Sequence, residues 1–222
     1  MSIRIAVSAV AICAGAAQAD LVISELSTKS AYNPEDYFEI TNTGSVAVDI
    51  SGWAFDDESA DYGSAAFLEN ITMIGAGESV VFFQQDSSDP FADADLFRSF
   101  WGGLGGVQVG WYDGAGLGKG DAITIFDADG NIALSLEYGM TEPNQTHAGD
   151  WAAGNFDGSD IHENEAAVWV PGSDGEYVLA GAGVYGSFQN TAGEWGSPGV
   201  IPAPGVLAMF GLAGLAARRR RG

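Results

Sequence analysis

From residue 36 to residue 53 apolar and polar side chains alternate with a period of two, and the alternation is broken once, by a turn. Phe38 and Ile40 alternate with Tyr37, Glu39 and Thr41, the pattern of a strand with one face buried and the other in water. Asn42-Thr43-Gly44-Ser45 is turn chemistry, because Asn and Gly tolerate positive φ. Val46, Val48 and Ile50 resume the alternation, and Gly52-Trp53 ends it. The stretch is expected to form two short strands joined by a polar turn.

Similar segments lie on either side. Residues 21–26 read as a first strand, 27–35 as a polar loop, and Asp56-Asp57-Glu58-Ser59 as an acidic loop. Residues 71–74 and 79–84 read as a strand pair around the turn Gly75-Ala76-Gly77-Glu78. Ser88-Asp89-Pro90 opens the one helix expected: Ser or Asp caps free N–H groups and Pro tolerates an early helical position. Phe91, Leu96, Phe97, Phe100 and Trp101 share a face at helical spacing, and Gly102-Gly103 stops the helix. Residues 107–111 and 121–126 follow as strands, and Asp127-Ala128-Asp129-Gly130-Asn131 turns the chain into 132–138. Residues 139–199 are less regular, with short strands or packed loops around Trp151, Phe156, 168–170 and 177–179. The 32 glycines favour many tight turns over long helices. One all-β domain is the class these patterns predict.

The two ends differ from this body. Residues 1–19 have the layout of a secretory signal peptide: Arg4, an apolar run, and Ala17-Gln18-Ala19 as a cleavage site that leaves Asp20 first. Residues 200–222 pass from Pro202-Ala203-Pro204-Gly205 into an apolar stretch and then Arg218, Arg219, Arg220 and Arg221. The apolar stretch is short for a span of ~20 residues, but a basic end favours the cytoplasmic side of a membrane. Pro202 and Pro204 fix φ and lack N–H donors, so the segment before the helix stays extended. Small residues at 205, 208, 211, 213 and 214 suit close packing against other membrane helices.

Charge excludes one class of partner. Between residues 20 and 199 lie all 30 acidic residues and three basic ones, Lys29, Arg98 and Lys119. Nucleic-acid binding needs Lys and Arg against phosphates, so no nucleic acid is expected. Cys13 is the only cysteine, which leaves the body without a disulfide, a thiol nucleophile or a Cys metal site.

Candidate chemistry is sparse. Asp127 and Asp129 offer carboxylates at Ca²⁺ spacing but lack the Glu that closes an EF-hand loop, so a hairpin turn is the plainer reading. Asp157 and Asp160 sit in a second oxygen-rich loop, 155–160. Asp56-Asp57-Glu58 reads as a solvated face. His147 and His162 do not form a zinc motif. Residues 114–120 resemble a phosphate loop but have Asp113 where Gly is needed and Gly120 where Ser or Thr is needed, so they read as a flexible loop. No G-x-S-x-G is present. Trp53, Trp101 and Trp111 are expected in the core rather than as sugar platforms.

Residues 21–138 resemble the lamin tail domain family. The matching pieces are Ile23-Ser24-Glu25, Tyr37-Phe38-Glu39-Ile40-Thr41-Asn42, Asp49-Ile50-Ser51-Gly52-Trp53, residues 75–83, and Gly120-Asp121-Ala122-Ile123-Thr124-Ile125 with the turn 127–131. The resemblance implies an immunoglobulin-like β-sandwich at 20–138, with the helix as an insertion, 139–199 as an irregular extension of the same domain, and an interaction or structural role rather than catalysis. Residues 200–222 resemble a PEP-CTERM sorting signal, with Ala203 where that family has Glu and Ile201 where it has Val. That resemblance implies a membrane helix and an exosortase-like processing enzyme as partner. The combined expectation is an exported, non-catalytic protein, arrested at the inner membrane and then placed on the cell surface or in the extracellular matrix, where it meets a polymer or protein. It carries no cofactor beyond at most weak Ca²⁺ binding. The alternatives are a secreted hydrolase using acidic residues and a Ca²⁺-binding adhesion module.

Overall fold

A computed structural model describes residues 20–28, 36–118, 121–138, 152–153, 165–173 and 175–200. In chain order they form β1 (Leu21–Ser27), β2 (Tyr37–Asn42), β3 (Val48–Asp49), β4 (Ala54–Asp56), β5 (Ala66–Phe67), β6 (Met73–Ile74) and β7 (Ser79–Gln84). Then come α1 (Pro90–Phe100), β8 (Gln108–Tyr112), β9 (Asp121–Phe126), β10 (Ile132–Tyr138) and β11 (Ala152–Ala153). The last elements are β12 (Ala167–Trp169), β13 (Tyr177–Leu179), β14 (Phe188–Gln189) and β15 (Trp195–Gly196).

Two sheets carry the fold. One has six strands in the order β13-β12-β1-β2-β7-β8, the other five in the order β11-β10-β9-β4-β5, and β3-β6 and β14-β15 are two-stranded ribbons. Leu26, Phe38, Ile40, Val80, Phe82 and Tyr112 of the first sheet pack with Phe55, Ile123, Ile125 and Leu136 of the second. Phe38, Phe55 and Tyr112 stack at the centre, with ring centroids 4.4 to 5.6 Å apart. This is an all-β sandwich with one short helix. Although residues 139–199 are irregular in sequence, β12 and β13 complete the six-stranded sheet beside β1. No helix among the described residues is long and apolar enough to cross a membrane.

The hairpin expected at 36–53 does not form. β2 pairs with β1 and β7, whereas β3 pairs with β6. The turn residues explain the parting. Asn42 Nδ2 donates to Val46 O at 2.7 Å and to Ile74 O at 3.1 Å, and Asn42 Oδ1 accepts from Gly44 N at 3.0 Å. These bonds bend the chain out of the first sheet before it can fold back on β2. For the same reason 71–74 and 79–84 are not each other's partners. The hairpin β9–β10 forms as expected.

The helix begins at the expected place. Asp89 caps it, its carboxylate accepting from Ala92 N at 3.2 Å, and Gly102 and Gly103 end it with φ of +79° and +97°. Its apolar face differs from the expected one. Ala94, Phe97 and Trp101 are buried, but Phe91 and Leu96 are 64% and 48% exposed. The helix spans the crossover between the parallel strands β7 and β8 and lies on the outer side of the six-stranded sheet. There Tyr37, Val81, Phe83, Val109 and Trp111 form a second apolar layer with it.

That cover changes β2. Its alternation predicts one wet face, yet all six residues are buried. Phe38 and Ile40 face the sandwich core. Tyr37, Glu39 and Thr41 face outward, under α1 and under residues 188–200, which we call the strap.

Candidate functional site

The buried polar face of β1 and β2 is the most unusual chemistry in the described residues. Ile23 pairs with Ile40 and Leu26 with Phe38, both toward the core; between them the register shifts at Ser24, and Glu25 pairs with Glu39. The bulge lets Ser24 and Glu25 both turn outward. Glu25 and Glu39 thus meet across the strands, each no more than 1% exposed. A buried carboxylate is tolerated only with donors around it, and the chain supplies them from two directions.

From within the sheet, Ser24 Oγ donates to Glu39 Oε1 at 2.6 Å, and Thr41 Oγ1 donates to Ser24 Oγ at 2.6 Å. Thr41 and Ser79 share a hydroxyl contact of 2.5 Å. The Tyr37 hydroxyl donates to Glu25 Oε1. From the strap, Ser197 N donates to both Glu25 oxygens at 2.9 Å, and the Ser197 hydroxyl donates to Oε2. Gly199 N donates to Glu39 Oε2. Within the strap, Asn190 Nδ2 donates to Glu194 Oε2 at 2.6 Å and Asn190 Oδ1 accepts from Glu194 N at 3.0 Å, which closes the turn between β14 and β15.

Burial pushes both carboxyls above the usual range. Glu39 is raised to about 8, first by burial and then by the charge of Glu25, against the donors Ser24, Gly199 and Ser79. Glu25 is raised by burial and held back by Ser197 and Tyr37. Burial, followed by the Glu25 charge, raises the Tyr37 hydroxyl. The two carboxyls interact, so their protons belong to the pair and not to either residue alone.

A second acidic group closes one end of the sandwich. Asp36 Oδ2 accepts Leu117 N at 2.8 Å. Asp121 accepts Ala122 N at 2.8 Å, Glu58 N at 3.2 Å, and Gly118 N. The Tyr138 hydroxyl donates to Gly118 O at 3.0 Å. Residues 116–118 are therefore pinned, with Leu117 buried, in contrast to the flexible loop expected there. Carboxyl oxygens of Asp57, Glu58 and Asp121 fall within 4.8 Å of one another. Hydrogen bonding with Asp121, then burial, raises Glu58 to about 7. Asp57 and Glu58 were legible as an acidic loop, but Asp121 is too far along the chain for spacing to join it to them.

The remaining expected residues fall as follows. Asp127 Oδ1 accepts from Asp129 N and Asn131 N at 2.9 Å, so the turn uses this carboxylate for its own backbone. The Asn131 bonds lower its pKa. Asp129 is exposed beside it. Trp101 and Trp111 are buried and Trp53 is half-buried. Asp20 is exposed, and its carbonyl accepts the N–H and hydroxyl of Thr43 at 2.7 and 3.0 Å. It borders a cleft of about 660 Å³ between β1 and β10, lined also by Val22, Leu134, Trp169 and Tyr177. Ala17, Ala19, Asp157, Asp160, Pro202, Ala203, Pro204, Gly205 and Arg218 to Arg221 lie outside the described residues, as do His147 and His162.

In the sequence Glu25 and Glu39 stand as polar positions of strands and as parts of the pieces that resemble the lamin tail domain. A signal existed: Glu at a strand position between large apolar residues, in a chain with another such strand. Nothing local said that a segment from the far end of the body would cover them.

A sequence model of the lamin tail domain matches residues 14–140, more than half of the chain and all of β1 to β10. No curated protein matches the chain.

Proposed function

The chain belongs to the lamin tail domain family, and from that premise we propose that it is an exported structural or interaction module held at the cell surface or in the extracellular matrix. The family domain is a non-catalytic, immunoglobulin-like sandwich. One observation carries the non-catalytic part. The two buried carboxyls, the groups best placed by proximity and raised proton affinity for acid–base work, are closed from solvent and bonded to the chain's own strap.

Export rests on the sequence of the two ends. Residues 1–19 supply the secretory leader. Residues 201–222 supply a Pro-x-Pro sequence, an apolar stretch rich in Gly and Ala, and four Arg that resist crossing a bilayer. In this reading the chain halts at the inner membrane, an exosortase-like enzyme cuts near 202–205, and the body passes outward to meet a polymer or protein. The body's acidic surface keeps it soluble.

Cell fractionation tests the role of the tail. Deleting residues 201–222 should release the body unsorted, and replacing Arg218 to Arg221 with neutral residues should weaken membrane retention. A tail-deleted protein found in the same location as wild type would remove the sorting role.

A further inference from the structure

Among the described residues the strap supplies the outer hydrogen-bond donors to the Glu25–Glu39 pair, with Trp101 beside them against Gly196. Its near half is fastened elsewhere: Thr191 N donates to Phe100 O at 2.9 Å, Ala166 N donates to Trp195 O at 2.9 Å, and the rings of Phe188 and Trp101 meet edge-on at 5.6 Å. Its far half, 197–200, bonds to the carboxyls through Ser197 and Gly199, and it packs on Val107 through Gly199 and on Gly186 through Val200.

Among the described residues, the groups facing the pair come from three strands, from the end of α1 and from the strap. Ser24 lies on β1, Tyr37 and Thr41 on β2, and Ser79 on β7. From the strap, Ser197 and Gly199 bond to the pair, and the charge of Glu194 acts on Tyr37. Trp101, the cap at the end of α1, abuts Gly196. The titratable members are Tyr37 and Glu194, and neither supplies positive charge. Arg98 is the single basic residue among the described residues, and it pairs with Asp95 at 3.3 Å.

We propose that Glu25 and Glu39 form a proton-operated latch on the strap: with one proton held between the two carboxyls the strap stays docked, and with both ionised its far half lifts to let water reach them. Two adjacent carboxylates without a cation cannot both stay ionised in a dry site. The sheet behind them is fixed by its ladders. The strap is the side that can open, and lifting 197–200 hydrates both carboxyls at the loss of the Ser197 and Gly199 bonds and of the contacts with Val107 and Gly186.

The sign follows from the raised proton affinities. The docked state binds more protons than the open one, so docking is strongest on the acid side and declines as pH rises toward about 8, the value for Glu39. The device depends on the strap's contacts and not on what residues 201–222 do. Its consequence is nevertheless directional: opening frees the segment that leads into Pro202.

Amide hydrogen exchange of the full chain, corrected for the intrinsic base catalysis of exchange, tests it. The protection of Ser197 and Gly199 in wild type should fall from about pH 5 to about pH 8, by up to ~10-fold per pH unit for a one-proton linkage, and level off above that. Phe38 and Ile40 amides should stay protected throughout. In Glu39→Gln, a neutral isostere, the decline at 197 and 199 should move to lower pH. Should Glu39→Gln fail to fold, Glu25→Gln serves equally, since the single carboxyl left is no longer opposed by a second charge and its titration should move to lower pH. Wild-type protection that is flat across this range would overturn the latch. So would an unchanged decline in the folded Gln variant, or loss of protection at Phe38 together with Ser197.

Discussion

Glu25→Ala should lower the stability of the body by about 3–5 kcal/mol, the range for breaking a buried charged network by removing one partner. The substitution strands three donors at once. The Tyr37 hydroxyl, Ser197 N–H and the Ser197 hydroxyl all point at Glu25. Each buried donor left without an acceptor costs about 1–3 kcal/mol. Relief of repulsion on Glu39 offsets part of that loss, so the sum of the three is an upper bound. Against a typical domain stability of about 5–15 kcal/mol, the variant should be marginal. Thermal or urea denaturation measures it. Glu25→Gln separates charge from geometry, because it keeps an oxygen acceptor and removes the charge. It should lose much less than the Ala variant and should let Glu39 ionise at lower pH. Equal, small losses in both variants would show that the strap's bonds to Glu25 contribute little.

Gly196→Ala should dislodge the strap without removing a hydrogen-bonding group. A Cβ at this position would lie 2.6 Å from the Trp101 ring, 2.7 Å from Glu25 Oε1 and 2.7 Å from the Tyr37 hydroxyl. Those neighbours are all buried and packed, Trp101 against Tyr37 and Phe188. None is the free end of a flexible chain. Overpacking of this kind costs about 1–3 kcal/mol when the surroundings can give a little. Here the cheapest escape is for the strap to lift. The expected result is loss of amide protection at Ser197 and Gly199 and early proteolytic cleavage between 188 and 200. The ladders of β2, β7 and β9 should keep theirs. A variant whose strap amides exchange as slowly as wild type would contradict the close approach at Gly196.

The sequence was most legible where local rules decide. The cap at Asp89, the stop at Gly102-Gly103 and the β9–β10 hairpin are set by residues within a few positions of one another. The core half of β2 was also legible, since Phe38 and Ile40 follow the period-two rule. Its other half was not. Tyr37, Glu39 and Thr41 have the pattern of a solvated face, and they are buried because α1 and the strap arrive from far along the chain. Ser197 and Glu25 are 172 residues apart, a pairing that no spacing argument reaches. The expected 36–53 hairpin failed for a related reason. The turn chemistry at Asn42 was read correctly, but a turn does not say whether the chain returns to the same sheet or crosses to another ribbon. In α1, Phe91 and Leu96 fit the helical spacing, yet the residues buried against the sheet are Ala94, Phe97 and Trp101; Phe91 meets Trp111 edge-on at 4.9 Å but stays largely exposed, as does Leu96. The acidic end cluster was half legible, with Asp57 and Glu58 adjacent in sequence and Asp121 brought in by the second sheet.

The central functional claim is that a lamin-tail sandwich is exported and released from a processed tail. Intact mass of the protein recovered from outside the cells tests it most directly, because one number reports both ends. The account predicts a chain that begins at Asp20 and ends between Pro202 and Gly205, with the strap retained and the four Arg gone. A recovered mass equal to the full 222 residues would contradict it.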